Sequence, residues 1–460
     1  MRSITVAEIL DATGGTLLFG DTAKEINRVE IDSRKTEEVT LFVPLVGERV
    51  DAHRFLADVL AKGGVALTEK EMEISRESGS LILVEDTLQA LQRLGGWYRR
   101  QFQIPIVGIT GSVGKTTTKE MIGAVLSSNY QIVKTKGNLN SQIGVALMMF
   151  EIQDDTEIAI IEMGMSLPGE MEQLVEIVRP EVAVITNIGV SHIGNLGSRE
   201  NIAFEKGHIV TYAKDVFFCG DGDMRKMAEN IPWNLCERMP QVHTYGLEED
   251  VEIRGKDLEL RDGKEIFSYE YGTHTGTVCL SVLGRHYVEN ALVALALGNY
   301  FHVDEKAGIH ALEEYKPYQK RGVVEEIGTW HVIDDTYNAS PDSITSNVEA
   351  LFDRGEGGFT VAVLGDVLEL GEDSEKLHRG VGTYLAQMEN DQRGISMVIT
   401  VGTEARFIAE ELKDSNLTTA SFETCEQAAA YAREHVPEGA WILVKGSRGM
   451  HMEDLIERLK

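Results

Sequence analysis

The chain has 460 residues, 43% of them hydrophobic and 26% charged, with a formal net charge of −30. That length holds about three domains at roughly 150 residues each, and the composition is that of a globular chain with real cores. The negative balance argues against nucleic acid and against an anionic membrane surface as general partners; it leaves room for a small anionic ligand held by local cations and amides.

The first residues, "MRSITVAEILDATGG", carry no long apolar core, and no apolar run approaches the ~20 residues of a membrane span. The expectation is a cytoplasmic chain without a signal peptide. Four scattered cysteines, Cys219, Cys236, Cys279 and Cys425, form no CxxC and read as reduced thiols. Residues 1–103 mix short apolar runs ("TLFVPLV", "GVALTE", "SLILVED") with polar turns and end in a helical stretch, "TLQALQRLGGWYRRQF". This is a small α/β unit.

From Ile104 onward continuous apolar runs alternate with helical patterns: "IPIVGIT", "QIVKT", "EIAIIEMG", "VAVITNIG" and "DVFFCG" are the strands. Strands apolar throughout belong to a parallel sheet covered on both faces, so residues 104–317 are expected to form a doubly wound domain. Within it "VEIRGKDLEL", "EIFSYEYG" and "TGTVCLSVLG" alternate and read as an antiparallel insertion or edge before the helix "NALVALALGNYF". "EEYKPYQKRGVVEEIG" is the next joint. Residues 318–460 form a third, Rossmann-like α/β domain with strands in "WHVIDDTY", "FTVAVLGDV", "SMVITVG" and "WILVKGS". No short-period repeat is present, which excludes solenoids and propellers.

The chemistry starts at "IVGITGSVGKTTTKEM", residues 106–121. The common phosphate-loop rule is G-x-x-x-x-G-K-[ST]; here Ile109 stands at the first glycine and Gly108 is one residue early. What remains is Thr110, Gly111, Ser112, Val113, Gly114, Lys115, Thr116 and Thr117 at a strand-to-helix junction. Glycines let amides close on phosphate oxygens, and the helix adds its positive end. Lys115 is expected on the β/γ-phosphates and the Thr116 hydroxyl on Mg²⁺. The plainer alternative is a glycine-rich turn that holds nothing. A regulatory GTPase would carry NKxD and DxxG, and neither stands in context. A motor or transport ATPase would end the "EIAIIEMG" strand in Asp; this one ends in Glu162.

These residues resemble the Mur ligase family, the ATP-dependent amide-forming enzymes of peptidoglycan precursor synthesis. The family loop G-T-x-G-K-[TS] is here "GSVGKT", and nine motifs follow in the family's order: "DSRKTEEVTLFVPLVGERVDAHRF", "TKGNLNSQIGVALMM", "IIEMG", "TNIGVSHIG", "ENIAFEKGHI", "LGRHYVENALVALA", "DDTYNASPDS", "LGDVLELG" and "VKGSRGMHME". The last four with "EMG" look most like the branch that adds D-alanyl-D-alanine to UDP-N-acetylmuramoyl-tripeptide. Departures are Ser112 for Thr, Ser141 for Asn, Ala146 for Pro, "DAH" for "DGH", and Lys320 before Arg321 where Gly is favoured. None removes a charged catalytic group.

The resemblance implies ATP, two Mg²⁺ ions and an acyl-phosphate route, with a monomer as the acting species. It puts Glu162 at the metal as ligand or as its neighbour, against the alternative of a solvated strand-end carboxylate. His192 would help hold a second metal, where a lone loop histidine is otherwise an ordinary polar contact. Lys206 falls where the family carries a carbamylated lysine; without the alignment it is part of a charged helix face. Asn290 is expected at adenine, Arg321 at the γ-phosphate or else as a surface cation, and Asp335 at the ribose unless the Asp334–Asp335 pair caps the following helix. Tyr337 and Asn338 belong near ATP and peptide. Ser33, Arg34 and His53 are carried to the UDP end, Thr135, Asn138 and Asn140 to the sugar and its diphosphate, and Lys445, Ser447 and Arg448 to the substrate carboxylates. Rival readings are another amide ligase of the folylpolyglutamate or Mur type, and a P-loop switch or motor.

Overall fold

The computed structural model describes residues 1–47, 50–71, 79–317, 320–391 and 393–460. Parts of two stretches singled out above, "GERVD" and the joint "KPYQKRG", fall on residues 48–49 and 318–319, outside the described residues, as does the start of the third domain at 318.

In chain order the strands are β1 (Ile4–Thr5), β2 (Thr16–Phe19), β3 (Glu25–Ile26), β4 (Arg28–Glu30), β5 (Thr40–Phe42), β6 (Val65–Thr68) and β7 (Ser80–Leu83) in the first unit. β1 and β3 pair by themselves, and the others form a sheet in the order β2-β7-β6-β5-β4. β4 to β7 run parallel. Ser33 follows β4 and His53 follows β5, so both lie beyond the carboxyl ends of neighbouring parallel strands, the edge where open α/β sheets bind ligands.

The helix Thr87–Arg99 starts at an Asp86 cap, whose carboxylate accepts from Gln89 N. It lies on the helices Gln142–Met149 and Glu170–Val178 of the next unit. Gly95 makes the approach possible, because a Cβ there would stand 2.9 Å from Ala146 O. Tyr98 packs on Phe102 and Phe150 and donates to Ile152 O at 3.0 Å. One apolar cluster, from Ile4 to Ile231, therefore runs through both units.

The central strands are β8 (Ile106–Thr110), β9 (Ile132–Lys134), β10 (Ile158–Glu162), β11 (Val182–Ile185), β12 (Asp215–Cys219), β13 (Gln241–Gly246), β14 (Ile253–Arg261), β15 (Lys264–Tyr271) and β16 (His274–Leu280). Their order is β16-β15-β14-β13-β12-β11-β8-β10-β9. The strands from β9 to β14 are parallel, and β15 and β16 close the edge antiparallel. β8, β10 and β11 are buried along their whole length, as their unbroken apolar runs require. The chain leaves β8 to one side for β9 and β10 and later crosses to β11 on the other, so the crevice opens where β8 ends, at Thr110.

The third unit holds β17 (Val323–Ile327), β18 (Trp330–Asp335), β19 (Thr360–Gly365), β20 (Met397–Val401), β21 (Thr418–Phe422) and β22 (Trp441–Lys445), in the order β17-β18-β22-β19-β20-β21. All but β17 are parallel. Three strands escape the apolar-run rule. β13 ("QVHTYG") and β21 ("TTASF") mix polar residues into parallel positions, and β17 lies within the joint; β17 and β21 are sheet edges, where one side needs no cover.

Candidate active site

The turn after β8 is shaped by two glycines. Gly111 has φ +149°, and a Cβ on it would overlap Thr186 Oγ1; Gly114 has φ +88° and opens the helix Lys115–Ser127 without a side-chain cap. The first-turn amides of Lys115, Thr116 and Thr117 have no acceptor within the helix, since an α-helix leaves its first donors unpaired. They sit at the positive end of the helix, a ready anion site.

The front of the loop is fastened from β11. Asn187 Oδ1 accepts from Ser112 N (3.1 Å) and Val113 N (2.8 Å), its Nδ2 donates to Val113 O (3.1 Å), and its backbone oxygen accepts from Ser112 N (3.0 Å). Thr186 Oγ1 donates to Val113 O at 2.6 Å, and Ser112 Oγ accepts from Gly189 N at 2.9 Å. Asn187 was not among the expected site residues. Its position just beyond a buried parallel strand is the signal that could have found it.

Lys115 folds back over the turn and donates to Gly111 O at 2.7 Å. Burial lowers its pKa, with the Glu162 carboxylate pulling the other way. Thr116 Oγ1 donates to Glu162 Oε2 at 3.0 Å, and Asn140 Nδ2 donates to Glu162 Oε1 at 2.8 Å. Glu162 is 2% exposed, so the solvated strand-end reading of it does not hold. Lys119, one helical turn beyond Lys115, brings a fully buried ammonium to 3.8 Å from Glu162 Oε2 and donates to Thr135 O at 2.8 Å.

Thr135 itself is buried, and its hydroxyl accepts from Glu162 N at 2.8 Å. It anchors the carboxylate's strand and offers no face for a sugar phosphate, which corrects that expectation. Lys206 is 1% exposed, which removes the charged-helix-face reading. Burial, first, and the nearby Lys115 charge hold its pKa well below the usual lysine value. On the same helix Glu205 Oε1 accepts from Met171 N at 3.1 Å.

A cleft of about 470 Å³ separates the central and third units. From the central side Ser112 to Thr117, Asn138, Asn140, Glu162 and His192 line it; from the other come Arg321, Asp335, Tyr337, Asn338 and Lys445. The Arg321 guanidinium lies 3.9 Å over the Tyr337 ring and is partly buried, not a free surface cation. Asp335 accepts from Lys445 and Asn347, and Lys445 also donates to Asn338 O at 3.0 Å. Neither aspartate caps the next helix: Asp334 Oδ1 accepts from Thr336, and the cap is Ser340 in a capping box with Ser343.

His192 lies at φ +66° with Nδ1 2.6 Å from Glu369 Oε2 of the third unit. His286 and Glu289 line the same cleft. Burial depresses the His286 pKa to about 4 and lifts that of Glu289 to about 7.

Other expected residues stand elsewhere. Thr110 and Gly111 lie below the cleft surface. Asn290 is buried beneath Gly114; its Oδ1 accepts from Thr118 Oγ1 at 2.7 Å, and its Nδ2 has no partner. Ser447 is buried with its hydroxyl accepting from Leu368 N at 2.9 Å, and Arg448 pairs with Glu453 at 2.7 Å in solvent. These two hold the last strand's turn and do not line the cleft. In the first unit Arg34 is exposed and paired with Asp32 at 2.8 Å. His53 is buried, with Nδ1 2.7 Å from Asp51 Oδ1 and Nε2 without a partner.

Residues 109–298 match the family model described as Mur ligase middle domain, and residues 322–448 match Mur ligase, glutamate ligase domain. A UDP-N-acetylmuramoyl-tripeptide--D-alanyl-D-alanine ligase of Bacillus subtilis (strain 168) is 36% identical over 470 residues, spanning 99% of this chain and 98% of its own. The chain belongs to the Mur ligase family. Among solved Mur ligases, crystal structure I of MurF from Acinetobacter baumannii superposes with a TM-score of 0.90 at 30% identity, covering 100% of this chain and 99% of that one. The MurF ligase from Thermotoga maritima in complex with ADP gives 0.81 at 29%, covering 94% and 96%.

The residues of this Mur ligase fit a nucleotide triphosphate: unpaired helix-start amides, one lysine within the turn and an arginine across the cleft. Among the described residues no group of three or more His, Cys, Asp or Glu could hold a metal by itself. Mg²⁺ takes one or two protein oxygens and fills its shell with phosphates and water. Thr116 and Glu162, already in contact, are such a pair. No helix of the described residues is long and apolar enough to cross a membrane.

Proposed function

We propose that this chain joins D-alanyl-D-alanine to UDP-N-acetylmuramoyl-tripeptide at the expense of ATP, giving the UDP-linked pentapeptide precursor of peptidoglycan with ADP and phosphate. The reaction belongs in the cytoplasm and needs one copy of the chain. The observation that carries it is the P-loop turn, with its Thr116–Glu162 pair, facing Arg321 across a cleft between two units, in a chain that follows ligases of this activity along nearly its whole length.

The reaction brings a carboxylate to the γ-phosphate of ATP, two anions meeting, so charge neutralisation and alignment are the work of the site. The amides of Lys115, Thr116 and Thr117 take phosphate oxygens, and Lys115 exchanges Gly111 O for an anionic acceptor, adding ion pairing to a bond whose donor is already charged. Arg321 covers the γ-phosphate from the third unit, held flat by Tyr337. Asn290, expected at adenine, lies beneath the loop and backs Gly114 from below, and Asp335 exchanges Lys445 for the ribose.

Thr116 and Glu162 would hold one Mg²⁺ ion, and His192 with a carbamylated Lys206 a second; bound there, they would supply charge neutralisation for the phosphates. Carbamylation joins the neutral lysine amine to CO₂ and releases one proton. A buried amine that forms no ion pair among the described residues is the form that reacts, and the product offers oxygen ligands where an ammonium would repel the metal. The acyl phosphate forms as ADP leaves; the dipeptide amine then attacks the carbonyl and phosphate departs. Closure of the third unit keeps water from this intermediate. Asn138 and Asn140 serve the sugar end, Ser33, Arg34 and His53 the uridine diphosphate, and Lys445 with Asn338 the incoming dipeptide.

The test is ADP release with UDP-N-acetylmuramoyl-tripeptide carrying diaminopimelate or lysine, with and without D-alanyl-D-alanine. Release should require both substrates. Equal release without the precursor would sink the reading and favour a P-loop switch or motor.

A further inference from the structure

The helix that opens at the P loop carries a second lysine one turn after the first. Lys115 turns back to Gly111 O, whereas Lys119 points inward with its side chain fully buried. Its Nζ donates to Thr135 O at 2.8 Å and lies 3.1 Å from Glu120 Oε1 and 3.8 Å from Glu162 Oε2. The other oxygen of Glu120 pairs with Lys134. Lys134, Glu120, Lys119 and Glu162 thus form a row of alternating charge, from the end of β9 through the P-loop helix to the end of β10. The row sums to zero.

Glu162 is the member that faces the cleft; Lys119 stands behind it and does not line the cleft. Thr116 Oγ1 and Asn140 Nδ2 donate to the two carboxylate oxygens, and both donors are neutral. They satisfy lone pairs and leave the charge unbalanced. A carboxylate charge this deeply buried is costly unless a cation stands near, and Lys119 brings one from within the fold. The site therefore needs no metal to hold Glu162 in place before a nucleotide arrives. A divalent ion that joins Thr116 and Glu162 does so against an ammonium already present. Phosphate oxygens tip that balance, because they bring negative charge to the ion's other side.

We propose that Lys119 is a positioning residue, the resident counter-charge of Glu162: it holds the carboxylate ready in the nucleotide-free chain and keeps divalent cations from settling there ahead of the nucleotide. The proposal rests on the reading above, in which Thr116 and Glu162 serve one Mg²⁺ ion. Metal then enters with ATP and not before it.

The experiment is binding of Mn²⁺, an ion with the oxygen preference of Mg²⁺, read from the electron spin resonance of the free ion in the full chain without nucleotide. The variants are Lys119→Met, which keeps length and loses charge; Lys119→Gln, whose amide can still donate to Thr135 O; and Lys119→Met combined with Glu162→Gln. A charge at this range changes a carboxylate's affinity for a cation by a factor of about 10 or more. Both single variants should therefore hold one Mn²⁺ at concentrations about 10-fold or more below those the unmodified chain requires, and adding Glu162→Gln should abolish the gain. With a non-hydrolysable ATP analogue present, the unmodified chain should bind Mn²⁺ tightly. A loosened fold would lose metal affinity, so a gain separates counter-charge from structural support; should Lys119→Met fail to fold in thermal melts, Lys119→Gln carries the test. No gain in the folded variants, a gain that survives Glu162→Gln, or an unmodified chain that holds Mn²⁺ as tightly without nucleotide as with it would overturn the proposal alone. An unmodified chain that binds no analogue at any Mn²⁺ concentration would overturn it together with the functional reading.

Discussion

Asn187→Ala isolates what holds the phosphate loop in shape. The substitution removes three side-chain hydrogen bonds, to Ser112 N, Val113 N and Val113 O. At about 1 kcal/mol net for each bond, the loop loses about 3 kcal/mol of fastening. The Asn187 backbone oxygen on Ser112 N and the Thr186 hydroxyl on Val113 O remain, so between a third and the whole of that loss should reach nucleotide binding. At about 1.4 kcal/mol per decade, KM for ATP should rise about 5- to 140-fold, with KM for the UDP precursor within twofold. Steady-state ADP release across an ATP series measures the first, and a fluorescent-nucleotide titration checks it without turnover. Asn187→Asp should be worse, since it sets a second acceptor against Val113 O and a negative charge beside the phosphates. An unchanged or lowered KM for ATP in Asn187→Ala would refute the reasoning: the amides of Ser112 and Val113 would then be doing better without Asn187.

Other outcomes follow from groups in and around the cleft. Lys206→Ala should lose most ligase activity and regain part of it when acetate or formate is supplied; full activity in the variant would rule out a carbamate there. Glu289 carries a carboxyl lifted by burial from 4.5 to about 7, so its contribution to stability is complete below pH 4.5 and is lost as pH rises through 7, up to about 3 kcal/mol. Glu289→Gln should therefore raise the unfolding midpoint at pH 8.5 and leave it unchanged at pH 4.5, by thermal melts at both. His286 has the opposite slope: its pKa falls from 6.5 to about 4, the unfolded chain takes the proton first, and stability drops by up to about 3 kcal/mol as pH falls from 6.5 to 4. His286→Gln should flatten urea-unfolding free energies over that window; an unchanged slope would place the titration elsewhere.

What the sequence disclosed was whatever local spacing controls. "GSVGKTT" at a strand-to-helix junction announces free amides and a lysine, and the buried runs of β8, β10 and β11 announce a covered parallel sheet. Glu162 could be placed at the cleft because it ends such a run. The partners of these groups come from distant stretches and leave no local trace. Asn187 reaches the P loop over more than seventy residues, and Lys119 looks like any lysine on a helix until its neighbours Thr135 and Glu162 surround it. Thr135 and Ser447 belonged to the right motifs but for another reason: their hydroxyls close backbone bonds beneath the cleft. Lys206 misled in the opposite direction, since "NIAFEKGHI" alternates charge with apolar residues while the fold buries Glu205 and Lys206 alike.

The two joints of this molecule are unlike. The first unit and the central one share a continuous apolar cluster, with Gly95 set against the Ala146 backbone, whereas the third meets its neighbour mainly through polar loop contacts around an open cleft. On the proposed reading, a precursor held by its nucleotide end on the first unit would reach toward the P loop across a span that this joint fixes. Each residue of the peptide stem adds at most about 3.5 Å of reach, so on that reading a fixed joint would favour one stem length over its neighbours.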